Sequence, residues 1–228
     1  MITVIIPALN EEATIGHVVR LVKAAKHVTE VVVVDDKSLD NTVAVAKQAG
    51  AQVITSTKLG KGASMKDGVL YAKNEILVFL DADITTYPEN IIQLLTEPLL
   101  NGQADFCKSF FSRQAGRVTE LVAKPLISIL YPNFPAFRQP LSGMIAGKKR
   151  LFEKIQFEEG YGVDIGILLD MHQMGARIQE VSIGYIENRM QSLEQLGKMS
   201  REVAAVIKKK KKNKGETSFE TLEYIQLI

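Results

Sequence analysis

The sequence predicts an α/β protein with a mostly parallel, doubly wound sheet, on three observations. Short strand-like runs at 2–6, 31–34, 52–55 and 76–80 alternate with segments of helical periodicity. The runs at 2–6, 31–34 and 76–80 are nearly continuous in branched apolar residues, as in strands covered on both faces. The resulting βαβαβαβ order fits right-handed crossovers between parallel neighbours.

Residues 2–6 give the first strand. Residues 13–26 place Ile15, Val18, Val19 and Val22 on one helical face. Val31 to Val34 form a second buried strand that ends at Asp35-Asp36. Asp40 caps a helix running to about Ala49, and Gly50 stops it. A third strand covers 52–55, and Gly60-Lys61-Gly62 opens the next helix. After the strand at 76–80, Pro88 opens another helix, because proline is tolerated in a first turn.

The second half is less regular. It reads as a strand at 104–111 and a helix at 116–130 bent or divided by Pro125. A turn-rich stretch at 131–135 precedes a strand at 142–147, a helix at 163–174 and a strand at 178–186. A last helix spans 197–212 and ends in five lysines, Lys208 to Lys212. Residues 1–207 are expected to form one domain, with 208–228 a basic tail whose Phe219, Leu222, Tyr224, Ile225 and Leu227 could dock on another surface.

The 228 residues are 46% hydrophobic, enough for a sizeable core. The formal charge, 28 − 26 = +2, is too balanced for a nucleic-acid binder. Cys107 is the single cysteine, so no intramolecular disulfide exists and a reducing, cytoplasmic compartment is expected. Met1 to Pro7 lacks a basic leader region and reads as a strand rather than a signal peptide. No run reaches the ~18 apolar residues of a membrane span. The lysine run has two readings. It is a peripheral contact with the inner face of an anionic membrane, at about 1 kcal/mol per lysine, or a solvated helix end complementing the helix dipole.

The chemistry-bearing residues cluster at strand ends. Asp81-Ala82-Asp83 directly follows the strand at 76–80, where open α/β sheets bind ligands. Residues i and i+2 of an extended segment point the same way. Two hard oxygen donors on one side suit Mg²⁺ or Mn²⁺ on a nucleoside diphosphate; the alternative is a surface turn. Pro7 to Glu12 leaves the first strand with backbone groups able to meet a planar base, and Asp36 can accept from an imide or a ribose hydroxyl. Otherwise Asn10 caps the helix and Asp36 is solvated. Gly60-Lys61-Gly62 at a helix start favours an anion, or is a flexible turn.

In that order, Pro-Ala-Leu-Asn-Glu-Glu, Val-Val-Val-Asp-Asp, Gly-Lys-Gly and Asp-Ala-Asp resemble the nucleotide half of GT-A glycosyltransferases. Several later segments resemble the retaining glucosyl-3-phosphoglycerate synthases. They are Lys108-Ser109-Phe110, Gly116 to Leu121, Gln139 to Gly143, Gly160 to Gly166 and Leu196 to Arg201.

The resemblance, over residues 2–206, implies a GT-A fold with a nucleotide-binding half at 1–100 and an acceptor-binding half at 101–207. It also implies a homodimer that moves a sugar, glucose by preference, from a UDP-sugar to a small, anionic acceptor with retention. Pro7, Ala8, Leu9, Glu11 and Asp36 would hold uracil and ribose. Lys61 would contact the nucleotide, Asp81 with Ala82 would meet ribose or sugar, and Asp83 would ligate Mg²⁺ or Mn²⁺. Leu141, Ser142 and Gly143 would line the sugar, with Leu141 and Asp81 among the catalytic positions. Asp164 stands where the family has an acidic residue, usually Glu, near donor sugar and acceptor. Gly116, Arg117, Val118 and Thr119 would bind the acceptor; on the residues alone, Arg117 pairs with Glu120 on a helix surface.

Two departures stand out. The family's late metal-ligand histidine falls at Asn188, a neutral oxygen donor, and its acceptor-contacting asparagine falls at Met190. Weaker metal binding and an acceptor other than 3-phosphoglycerate are the expected consequences. His172 is expected to be packed or exposed on its helix rather than a substitute ligand. Two other functions fit parts of the pattern: a non-catalytic or membrane-recruited sugar-nucleotide-binding protein, and a nucleotidyltransferase. The latter usually has a Gly/Arg-rich loop after the first strand, which this chain lacks.

Overall fold

The computed structural model describes residues 1–112, 116–187 and 191–212. One seven-stranded sheet organises them. In chain order the first half supplies β1 (Ile2–Ala8), α1 (Ile15–Lys23), β2 (Val28–Asp35) and α2 (Thr42–Gln48). It continues with β3 (Gln52–Thr55), α3 (Lys61–Tyr71), β4 (Ile76–Phe79) and α4 (Ile91–Leu100). The second half supplies β5 (Phe106–Ser112), α5 (Lys124–Leu130), β6 (Ile145–Lys148), α6 (Lys149–Phe152), α7 (Val163–Gln173), β7 (Ile178–Tyr185) and α8 (Leu193–Lys212).

The strand order is β3-β2-β1-β4-β6-β5-β7. Only β6 runs against its neighbours; it pairs antiparallel with both β4 and β5. The carboxyl ends of β1, β2, β4 and β5 therefore share one edge.

Alternation along each strand feeds both faces of the sheet. Val4 and Ile6 of β1, Val31 and Val33 of β2, and Val78 of β4 pack under α1 and α4, against Val18, Val22 and Leu95. Ile5, Val32, Val34, Leu77 and Phe79 point the other way, toward Met65, Leu168 and Ile207 of α3, α7 and α8. This period-2 division between two covered faces explains the continuous apolar runs.

The expected elements are present with shifted ends. The second strand begins at Val28 rather than residue 31, and the first helix is confined to Ile15–Lys23. Pro125 does not divide its helix: a wide π turn, Thr119–Ala123, runs without a break into α5, so the widened turn lies just before the residue that lacks an amide donor. The strand expected at 142–147 begins only at Ile145, because Ser142 and its neighbours are held in a loop.

The five lysines are the last turn of α8 rather than the start of a tail. Lys210 is buried and bonds Asp170 Oδ2 at 2.6 Å. It also lies 3.2 Å from Glu158 Oε1, as an ion pair without an aligned hydrogen bond. Lys209 bonds Glu158 Oε2 at 2.8 Å, and the Lys211 ammonium lies over the Tyr131 ring. Of the five, Lys210 is taken into the fold and Lys211 is half-buried, while Lys208, Lys209 and Lys212 remain exposed. Phe219, Leu222, Tyr224, Ile225 and Leu227 lie outside the described residues.

Candidate active site

The loops after β1 and β2 are laced into one wall. Asn10 Oδ1 accepts from the Leu39 N–H at 2.8 Å, and the Asn10 N–H donates to Ser38 Oγ at 2.9 Å. Glu12 accepts from the Asn41 N–H, and Asp40 accepts from the Glu12 N–H. Asn10 sits in the left-handed region at φ 57°, so it is a loop tie and not the helix cap. Asp40 does accept from the Thr42 N–H at the start of α2. Ala8, at the end of β1, is buried, Pro7 and Glu11 are partly covered, and Leu9 is about half exposed at the rim.

Asp36 follows β2 and is buried rather than solvated. Its Oδ2 accepts from the Gly60 N–H at 2.8 Å, while Oδ1 has no partner. A buried carboxylate oxygen without a donor is costly; it is the atom an imide or hydroxyl donor would satisfy. Gly60 adopts φ 114°, a conformation that a side chain would strain, and this turn launches α3 with Lys61 as its first residue.

Lys61 is the centre of the site. Its Nζ lies 2.8 Å from Asp81 Oδ1 and 3.1 Å from Asp164 Oδ2. Burial opposes its charge, but Asp164 and then Asp81 outweigh that and hold the ammonium above the usual lysine range. Asp164 reaches it from the first turn of α7, where a helix N-terminus favours an anion. Its other oxygen, Oδ1, is buried and has no hydrogen-bond partner. Gly143 closes the floor. A Cβ there would lie 2.5 Å from Lys61 Nζ and 2.9 Å from Asp81 Oδ1, so only glycine leaves the cluster intact.

Asp81 and Asp83 do not point the same way along an extended strand. A turn at Ala82-Asp83 directs Asp81 to Lys61 and leaves Asp83 exposed, with Ala82 buried between them. Residues past a strand end no longer obey the period of 2. Sequence reasoning missed Tyr87. Its buried hydroxyl accepts from the Asp81 N–H at 3.0 Å and donates to the Asp81 carbonyl at 3.1 Å, fixing that residue's backbone. Burial, Asp81 and Asp83 together raise the Tyr87 phenol well above its usual value, so it stays protonated. The nearby motif Tyr-Pro reads as a helix-opening signal, which hid it.

Leu141 is partly exposed, and Ser142 and Gly143 are buried beside the cluster. Gly116 to Thr119 follow the end of β5 on the same sheet edge. Arg117 is exposed there, while Val118 and Thr119 are buried, Val118 in the core. The Arg117–Glu120 pair is not what forms. Glu120 bonds Lys124 at 2.6 Å, one turn on. Asn188 and Met190 lie outside the described residues; the Glu187 N–H just before them donates to Thr86 Oγ1, in the loop that carries Asp83. His172 packs its ring against Phe134, with centroids 4.6 Å apart. No cluster of three or more His, Cys, Asp or Glu able to hold a metal occurs among the described residues.

Residues 3–160 match the model of glycosyl transferase family 2. The chain belongs to that family. It is 35% identical to a glucosyl-3-phosphoglycerate synthase of Mycobacterium tuberculosis over 90% of this chain and 72% of the relative. A second such synthase, from Petrotoga mobilis, is 33% identical over 96% and 76%. A crystal structure of the M. tuberculosis synthase with Mn²⁺, UDP-glucose and phosphoglyceric acid superposes with a TM-score of 0.87 at 36% identity, over 92% of this chain and 79% of that one. Another holds Mg²⁺ and UDP. The protein is a glycosyltransferase of the GT-A fold, as the early motifs implied.

Proposed function

We propose that this glycosyltransferase transfers glucose from UDP-glucose to a small phosphorylated or carboxylated acceptor, with retention at the anomeric carbon; Met190 in place of the family's asparagine points to one other than 3-phosphoglycerate. The observation that carries the reading is the Lys61–Asp81–Asp164 cluster over Gly143, at the ligand-binding edge of the sheet. The bound donor and acceptor in the similar M. tuberculosis structure support it.

Asp36 Oδ1 takes a base or ribose donor, and the wall from Pro7 to Glu11 flanks it. Lys61 exchanges part of its carboxylate pairing for the diphosphate and stabilises charge on the departing UDP. Asp81, held by Tyr87, and Asp164 orient sugar hydroxyls. Leu141 to Gly143 line the sugar, and attack from the leaving-group side lets the departing phosphate oxygen take the acceptor proton. Arg117 and the amides of Gly116 to Thr119 hold the acceptor's phosphate or carboxylate.

The site's donors fit a hard divalent ion. Asp83 offers an exposed carboxylate at the rim, and Mg²⁺ or Mn²⁺ needs only one or two carboxylates when diphosphate oxygens complete its shell. Asp83 would hold it with Asn188, and the ion would supply charge neutralisation at the diphosphate.

The reading places the enzyme in the cytoplasm as a homodimer, to be checked by fractionation and light scattering. No helix among the described residues is long and apolar enough to cross a membrane. Membrane contact through Lys208 to Lys212 is the weakest part, since three of the five side chains are engaged internally. The direct test is UDP release from UDP-glucose with Mn²⁺ and a panel of small phosphorylated and carboxylated acids that includes 3-phosphoglycerate, with the product anomer assigned by NMR. Binding of UDP-glucose without product from any phosphorylated acid would leave the non-catalytic reading in its place.

A further inference from the structure

Lys108, on β5, takes no part in the chemistry above, yet it is fully buried directly behind the site. Its ammonium donates to the Ser142 carbonyl at 2.7 Å and reaches the Asp164 carbonyl at 3.4 Å. The next residue grips the same loop. Ser109 Oγ lies 2.6 Å from Ser142 Oγ, and the Ser109 N–H donates to the Met144 carbonyl at 3.0 Å. Ser142 is therefore held at its carbonyl and its hydroxyl by consecutive residues of one strand. The two segments that Lys108 ties together, Leu141 to Gly143 and the start of α7, are those that meet around Lys61.

Two carbonyls could be bridged by a neutral donor at lower cost, because a buried ammonium carries a large desolvation penalty. The charge itself is the feature to be explained. Resting on the glycosyltransferase reading, we propose that Lys108 is a positioning residue for sugar transfer. Its buried ammonium locks the Leu141–Gly143 loop to the first turn of α7, so that the sugar-lining loop and Asp164 act on the donor as one rigid unit.

The charge has a defined pH range. Burial pushes it down most; Asp164, Glu180 and Asp81 oppose this, Lys61 adds to it, and the ammonium is lowered to about 8. A lysine with a lowered value is charged below that value and loses its charge as pH rises through it. The lock is intact at neutral pH and weakens in mild alkali.

The experiment compares wild type, Lys108→Met and Lys108→Arg with UDP-glucose, Mn²⁺ and 3-phosphoglycerate across the neutral to alkaline range. Wild-type kcat is expected to fall along an alkaline limb near 8. Lys108→Met is expected to lose roughly 100-fold in kcat, to show no limb there, and to keep its donor KM within about threefold, since UDP contacts are untouched. Lys108→Arg, whose guanidinium stays charged, should recover part of the rate and lose the limb. Wild-type kcat in Lys108→Met, or an unchanged limb in that variant, would overturn the proposal. A readout free of turnover stands beside these. In the free wild-type protein, amide resonances of Ser142, Gly143 and Asp164 should titrate together near 8. Resonances that stay still there refute the lock even if the variants do not fold. A wild type inactive in this assay whose amides titrate as stated defeats the donor or acceptor assignment and leaves the lock standing.

Discussion

Two lysines in this protein each bridge a pair of carboxylates, and their surroundings give them different tasks. Lys61 lies between Asp81 and Asp164 with side-chain exposures of 29%, 26% and 11%. Lys210 lies between Asp170 and Glu158 at 4%, 14% and 7%. The charges are alike, but a diphosphate can reach only the first group. The second is closed by α8, whose Glu202 carboxylate also accepts from the Tyr161 N–H at 2.8 Å. The contrast teaches that a lysine–dicarboxylate group marks a ligand site when one side remains open, and a fold staple when none does.

The largest expected effect comes from Lys61→Ala. Donor turnover should fall about 10²–10³-fold, measured as UDP release, while denaturant unfolding shifts by only about 1 kcal/mol because the pairs are partly solvated. A stability loss matching the activity loss would erase the distinction between the groups. Next comes Lys210→Met, which strands two buried carboxylates. Stability should drop by about 3 kcal/mol in a urea titration, whereas kcat of the folded enzyme changes less than in Lys61→Ala.

The smallest effect sharpens the rule from the opposite polarity. Asp105 sits between Arg177 and Lys148 at the far edge of the sheet. Hydrogen bonds from Arg177 and then Lys148 hold its carboxyl well below the usual range. A lowered carboxylate stabilises above its unfolded value of about 3.9, and that contribution is lost as pH falls toward the folded value. Asp105→Asn should therefore cost about 1 kcal/mol near neutrality, given the exposed Arg177, and the gap to wild type should close in acid. A gap that persists in acid would show the pair to be steric rather than electrostatic.

The first half of the fold was legible because each strand is a local apolar run between turn residues, and parallel βαβ order leaves few topologies. The reversed β6 was not, since Ile145 to Lys148 has no signature of direction. In the site, Asp36, Lys61 and Asp81 each stood at a strand or helix end and could be found by position, whereas Asp164 was reached only through the family resemblance. What surrounds Asp81 was hidden, because its partners are Lys61, which it shares with Asp164, and Tyr87, and only tertiary packing joins them. The lysine run misled for a related reason. Five identical side chains look equivalent in sequence, yet helical geometry turns Lys210 inward and leaves Lys208, Lys209 and Lys212 exposed.

The placement of α8 has a consequence for biosynthesis. Glu158 and Asp170 meet their counter-ion only after some forty further residues have been made, and Tyr161 is pinned by a side chain made just as late. The loops after β1 and β2 thus close on each other within the first half of the chain, while the turn that precedes α7 is completed only by α8. A chain cleaved between α7 and α8 would therefore leave Glu158 and Asp170 without the ammonium groups they meet in the fold.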